Sequence, residues 1–138
     1  MTRLELIGLS KCFRAQTRPA VDSIDMEVRA GEMVALLGPS GCGKTTTLKM
    51  IAGLLRPDAG DIRLDGKSVL DVPTEKRNIV MVFQQHALFP FMNVGDNVAF
   101  GLRVRGLEKK EIHRRVEEML TLVQLPGMSK RAAGELSG

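Results

Sequence analysis

The stretch that most constrains this chain is Gly38-Pro39-Ser40-Gly41-Cys42-Gly43-Lys44-Thr45, which fits G-x-x-x-x-G-K-[ST]. Its first six residues hold three glycines. A continuous apolar run, Met33 to Leu37, precedes it. Leu48, Ile51, Ala52 and Leu55 follow at i, i+3, i+4, i+7, which predicts a helix over Lys44 to Leu55. The unit is therefore strand, glycine loop, helix. Glycines let successive backbone N–H groups turn inward around an anion. The helix N-terminus adds unsatisfied donors and the positive end of a dipole. Lys44 is a mobile cation suited to the β and γ oxygens of a nucleotide. Thr45 offers a hydroxyl to Mg²⁺, a metal that favours oxygen ligands. The competing reading is a glycine-rich turn with a coincidental lysine. Cys42 lies near the helix N-terminus, where thiol pKa values fall. It is either a reactive thiol or a small residue in a narrow slot.

Around this unit the pattern changes twice. Thr2 to Gly8 alternates loosely as a strand, and Ala20 to Val28 alternates as an edge or antiparallel one. Met33–Leu37 and Ile79–Phe83 are apolar throughout, which predicts strands buried on both faces in a parallel sheet. Asp61 to Leu64 is a short strand closed by Asp65-Gly66. Past Gln84 the chain turns helical. Asn93 suits the cap of a helix running to about Arg105. From Glu108 to Gln124, Ile112, Val116, Met119, Leu120 and Val123 share one helical face. His113 and the pair Glu117-Glu118 fall on the charged face, so neither is expected to be catalytic.

Composition excludes several classes. With 138 residues, 43% apolar and 26% charged, the chain has a folded, soluble balance. No apolar run approaches the roughly 18 residues of a membrane span. Glu5 interrupts the place of a signal-peptide core, so export is not expected. Cys12 and Cys42 form no disulfide framework, and a reducing compartment is the default. A net charge of +4 and a pI near 9.4 invite nucleic acid. The charges are interspersed and aromatics are only 4%, so no nucleic-acid partner is expected.

Guanine-nucleotide enzymes carry D-x-x-G and N-K-x-D, and neither pattern occurs here. Four segments instead come in a distinctive order: Leu37 to Thr46, Val82-Phe83-Gln84-Gln85-His86-Ala87-Leu88-Phe89-Pro90, Asn97-Val98-Ala99-Phe100-Gly101-Leu102, and Leu136-Ser137-Gly138. Together they resemble the N-terminal half of an ABC-transporter ATP-binding subunit of importer type. They are similar to its Walker A, its Q-loop, the start of its helical subdomain and the first three residues of its L-S-G-G-Q signature.

The resemblance implies an α/β fold: an incomplete P-loop NTPase core with an N-terminal antiparallel β subdomain and the start of a helical subdomain. Residues 1–92 would hold the first two parts and 93–138 the last. It implies ATP and Mg²⁺ as cofactors. The nucleotide would be held by Gly38, Pro39, Ser40, Gly41, Cys42, Gly43, Lys44, Thr45 and Thr46, with Phe13 stacked on adenine and Val21 packed on the same base. Thr45 and Gln84 would reach the metal. Leu136, Ser137 and Gly138 would face the ATP of a partner subunit in a head-to-tail homodimer. Phe89-Pro90-Phe91-Met92 supplies an apolar patch for a membrane permease subunit. The family also implies a periplasmic or surface solute-binding protein in the same system. The location implied is the cytoplasmic side of the plasma membrane. His86 does not match the family's catalytic histidine, which lies beyond the signature.

The family takes its hydrolytic base and a metal-holding carboxylate from an apolar strand ending in Asp-Glu. That dipeptide is absent from these 138 residues. The chain reads as truncated before that strand, and it is not expected to hydrolyse ATP alone. Open, flat strand edges would make it poorly stable or prone to aggregate. The expected function is the ATP-binding subunit of an importer. Polyamines are the first choice of cargo, ahead of sugars, iron and sulfate. A non-catalytic nucleotide-binding or interaction module is the alternative, and a soluble nucleic-acid-associated ABC protein is a weaker one.

Overall fold

β1 (Leu4–Lys11) is hydrogen-bonded along both edges, and its apolar residues Leu6 and Leu9 are buried. The computed structural model describes residues 2–14, 17–84 and 88–135. The chain divides into two units, Met1–Val82 and Phe83–Gly138. In the first unit, β1 pairs antiparallel with β2 (Val21–Val28) and with β3 (Ala59–Leu64). β3 pairs with β4 (Lys67–Ser68), giving the order β2-β1-β3-β4. Leu6 and Leu9 are three apart, not two, so strict alternation would place them on opposite faces. A register irregularity between them restores the same face, and Gly8 there has φ of 55°. This is why the strand runs past Gly8 to Lys11.

α1 (Lys44–Ile51) lays Met50 and Ile51 on this sheet, against Leu6, Leu9, Val21, Ile62 and Val69. Leu9, Met50 and Ile62 are fully buried. Each such side chain contributes about 1.5–3 kcal/mol through burial. The face expected from periodicity is rotated: α1 buries Thr47, Met50 and Ile51, while Leu48 is exposed. The buried face is set by the sheet side chains that α1 packs against, not by its apolar count. It also stops short of Leu55. Gly53 adopts φ of 80°, and the N–H groups of Leu54 and Leu55 both turn back to Lys49 O.

The two expected buried parallel strands do not form ladders. Among the described residues every strand pairing is antiparallel, and Met33–Leu37 and Ile79–Phe83 belong to none. Leu37 is 90% exposed and Val82 is 91% exposed. An apolar run becomes a buried strand only when neighbours bond both its edges and cover both its faces. None of the four described strands lies beside them in that way.

In the second unit, α2 (Val94–Val104) packs on α3 (Lys109–Leu122). Val94, Ala99, Ile112, Val116 and Leu120 form the core. The Asn93 side chain accepts from Asp96 N at 2.7 Å and starts α2, as the sequence predicts. α3 buries a narrower stripe than predicted, since Met119 and Val123 are exposed. One neighbouring helix covers a narrower face than two would.

Candidate functional site: a glycine loop closed by a lysine

The loop after Leu37 is shaped by what lies beneath it. Gly43 has φ of 91° and caps α1. A Cβ at this position would lie 2.2 Å from Ala20 O and 3.2 Å from Val21 Cγ2. Ala20 and the first residue of β2, Val21, thus press against the loop, and only glycine fits between. Val21 itself is 3% exposed and sits in the core, where it supports the loop from below. Cys42 N donates to Pro39 O at 3.4 Å and closes the turn. Gly41, with φ of 84°, has nothing within 4 Å of a would-be Cβ, so this side of the loop is open.

Lys44 folds back over the loop. Its Nζ donates to Gly38 O and Pro39 O, each at 2.7 Å, and lies 3.2 Å from Cys42 Sγ. This contact is the first cause of a Cys42 thiol pKa below its ordinary value. No side chain caps α1, so the donors of its first turn keep no capping acceptor. Thr45 is exposed, and its hydroxyl has no bonding partner among the described residues. Thr46 is half-buried. Thr47 turns inward and donates to Gly43 O at 3.1 Å. Ser40 and Pro39 are exposed. Cation, uncapped helix terminus and open glycine face converge on one spot, which suits a polyphosphate.

The residues also suit a divalent cation brought with the phosphates. Among the described residues no group of three or more His, Cys, Asp or Glu side chains could hold a metal alone. The uncommitted hydroxyl of Thr45 matches Mg²⁺, which keeps waters and takes phosphate oxygens for most of its shell.

Phe13 stands two residues beyond β1, 38% exposed, with Lys11 Nζ 5.9 Å from its ring centre. Asp58 fixes this exit. Its carboxylate accepts from Lys11 Nζ at 2.7 Å and from Cys12 N at 2.8 Å. These two bonds, Lys11 first, hold its pKa below the ordinary range. Asp58 belongs to none of the motifs in the sequence. A lone aspartate in a turn carries no pattern that points 46 residues back to Cys12. Gln84 is exposed and belongs to the second unit. His86, Gln85 and the signature residues Leu136, Ser137 and Gly138 lie outside the described residues. His113 is exposed on α3, and Glu118 pairs with Arg114.

A glycine loop that opens a helix with Lys-Thr, beside an antiparallel β subdomain, defines a P-loop nucleotide-binding protein. Residues 21–138 match the ABC transporter family, and the chain belongs to that family. It is similar to the spermidine/putrescine import ATP-binding protein PotA of Thermobifida fusca (strain YX), 51% identical over 137 residues, covering 98% of this chain and 36% of the relative. It is also similar to the Fe(3+) ions import ATP-binding protein FbpC 1 of Rhizobium meliloti (strain 1021), 52% identical over 131 residues, covering 95% of this chain and 36% of the relative. Among solved structures it resembles the ATP-binding cassette MJ0796, a dimer in a post-hydrolysis state bound to ADP and Pi. The TM-score is 0.85 at 26% identity, covering 97% of this chain and 63% of that one. The chain thus spans about a third of the length of the curated relatives it matches. No helix among the described residues is long and apolar enough to cross a membrane.

Proposed function

We propose that this chain supplies the phosphate-binding part of an ATP-binding subunit that drives solute import. The observation that carries this reading is the ammonium of Lys44 held at the mouth of an uncapped glycine loop. Lys44 binds two neutral carbonyls there. A triphosphate offers it charged oxygens, and charge-assisted bonds are roughly twice as strong as neutral ones. Lys44 therefore leaves Gly38 O and Pro39 O for the phosphates. The N–H groups around Gly41 and Gly43 close on the same charge. Thr45 would hold Mg²⁺ against the phosphates, where the ion would screen their charge, and Gln84 is the further ligand that the family resemblance implies. Phe13 presents its ring to adenine, and Val21 buttresses the loop.

Leu136, Ser137 and Gly138 face the nucleotide of a second copy, arranged head to tail. The segment around Gln84 to Met92 meets a permease subunit at the cytoplasmic face of the membrane, and a solute-binding protein delivers the cargo. Polyamine is the cargo we favour, with the ferric-ion relative marking the alternative.

Calorimetric titration with ATP and Mg²⁺ tests the site. Saturable binding that weakens at least tenfold in Lys44→Met supports it, and equal affinity in the two proteins refutes it. Phosphate release separates the two functional readings. Turnover lost in Lys44→Met identifies an ATPase, whereas binding without turnover identifies a nucleotide-binding module.

A further inference from the structure

Arg77 is a buried cation that the nucleotide reading leaves without a role. It is 7% exposed. Its Nε donates to Val72 O at 2.9 Å, and its Nη2 donates to Leu70 O at 3.3 Å. Its Nη1 donates to Met50 O at 3.0 Å and Ile51 O at 3.2 Å. Among the described residues no carboxylate shares the guanidinium, and burial holds its pKa below the ordinary value. A buried cation is costly unless hydrogen bonds compensate it. Here four carbonyls do so, and two of them end α1, where the helix dipole is negative.

The four acceptors belong to two elements. Met50 and Ile51 close the helix whose first turn carries Lys44 and Thr45. Leu70 and Val72 begin the segment that runs through Asn78 toward Gln84. A guanidinium is a rigid planar fork, so it holds these carbonyls as one set. Gly53 lets the fork sit this close, since a Cβ there would lie 2.7 Å from Arg77 Nε. Thr74 Oγ1 donates to Gly53 O at 2.9 Å and ties the same two elements a second time.

We propose that Arg77 is a positioning residue that couples the phosphate loop, through α1, to the segment leading to Gln84. Eight helical residues rise about 12 Å, so α1 carries a displacement from its first turn to its last as one rod. Arg77 then passes that displacement from the Met50 and Ile51 carbonyls to those of Leu70 and Val72. The inference rests on the nucleotide reading above.

The test is a titration of the full chain with ATP and Mg²⁺, followed by backbone ¹H–¹⁵N shifts. In the unaltered protein, shifts are expected at the loop and also at Leu70, Val72, Asn78 and Ile79. In Arg77→Lys, which keeps the charge and loses the fork, ATP affinity should stay within about twofold. The loop shifts should persist while those at residues 70–79 fall at least threefold. Shifts of equal size at residues 70–79 in both proteins would overturn the coupling. So would an affinity loss that parallels them, which marks a merely structural role. If Arg77→Lys does not fold, the Arg77 Nε–H resonance of the unaltered protein decides. Coupling moves it on nucleotide addition, and an unmoved resonance overturns the proposal. Absence of any ATP binding refutes the nucleotide reading and the coupling together. Binding without shifts at residues 70–79 refutes the coupling alone.

Discussion

Lys44 holds its ammonium 3.2 Å from the sulfur of Cys42. The cation stabilises the thiolate, and Cys42 is exposed, so the sulfur is both activated and reachable. Removing the cation raises the thiol pKa and leaves less thiolate at a given pH. Alkylation of Cys42 by iodoacetamide at pH 7 should therefore slow several-fold in Lys44→Met, with its pH profile displaced upward. ATP with Mg²⁺ should slow it in the unaltered protein. An unchanged profile in Lys44→Met excludes the lysine as the cause.

Two glycines of the loop separate backbone strain from crowding. Gly41 and Gly43 both have positive φ, yet only Gly43 has neighbours in the Cβ direction. Gly41→Ala should cost about 1–2 kcal/mol, the penalty for a left-handed residue. Gly43→Ala pays the same penalty and adds a collision with Ala20 O, so it should melt at a clearly lower temperature. Equal melting temperatures would show that Ala20 does not press on the loop.

Met33, Leu37, Val80 and Val82 are all exposed, in runs that join no ladder. Unpaired apolar strands associate. Light scattering should show concentration-dependent association of the chain. The double change Val80→Lys and Val82→Lys should reduce it markedly. A monomer at all concentrations, melting cooperatively, contradicts this expectation.

Asn97 organises the entry to α2. Its Oδ1 accepts from Phe89 N at 2.8 Å, and its Nδ2 donates to Phe89 O at 3.2 Å and Asn93 O at 3.0 Å. Asn93→Ala removes one cap and should cost about 1 kcal/mol. Asn97→Ala removes several bonds and should cost about 2 kcal/mol or more in urea denaturation. It should also speed hydrogen exchange at Phe89 N. The reverse order of stabilities would place the anchor at Asn93 instead.

Glu111 accepts from Arg114 Nε at 2.9 Å and from Arg115 Nε at 2.7 Å. These bonds, Arg114 first, lower its pKa from an ordinary 4.5 to about 2. A depressed carboxylate stabilises the fold above its unfolded pKa, and the contribution is lost as pH falls toward the folded one. The acid-induced loss of α3 helicity between about pH 4.5 and 2 should be smaller in Glu111→Gln, which lacks the titrating group. Identical acid profiles would show that the paired arrangement does not persist in solution.

Residue order alone was enough wherever the chemistry is local. The glycine spacing and Lys44-Thr45 specify a phosphate loop, because anion binding needs those residue types at consecutive positions. The Asn93 cap and the Ile112, Val116 and Leu120 stripe of α3 were legible for the same reason, being local patterns of short period. The tertiary structure alone decided the rest. Whether Met33–Leu37 and Ile79–Phe83 become strands depends on partners distant in the chain, and no local pattern encodes a neighbour. The helix face of α1 was set by its packing on the sheet, so periodicity placed Leu48 on the wrong side. Asp58 meeting Cys12, and Arg77 joining Met50 to Leu70, are contacts between residues with no repeating spacing. Such pairs follow from how the sheet and α1 pack, and only folding brings them into hydrogen-bond range.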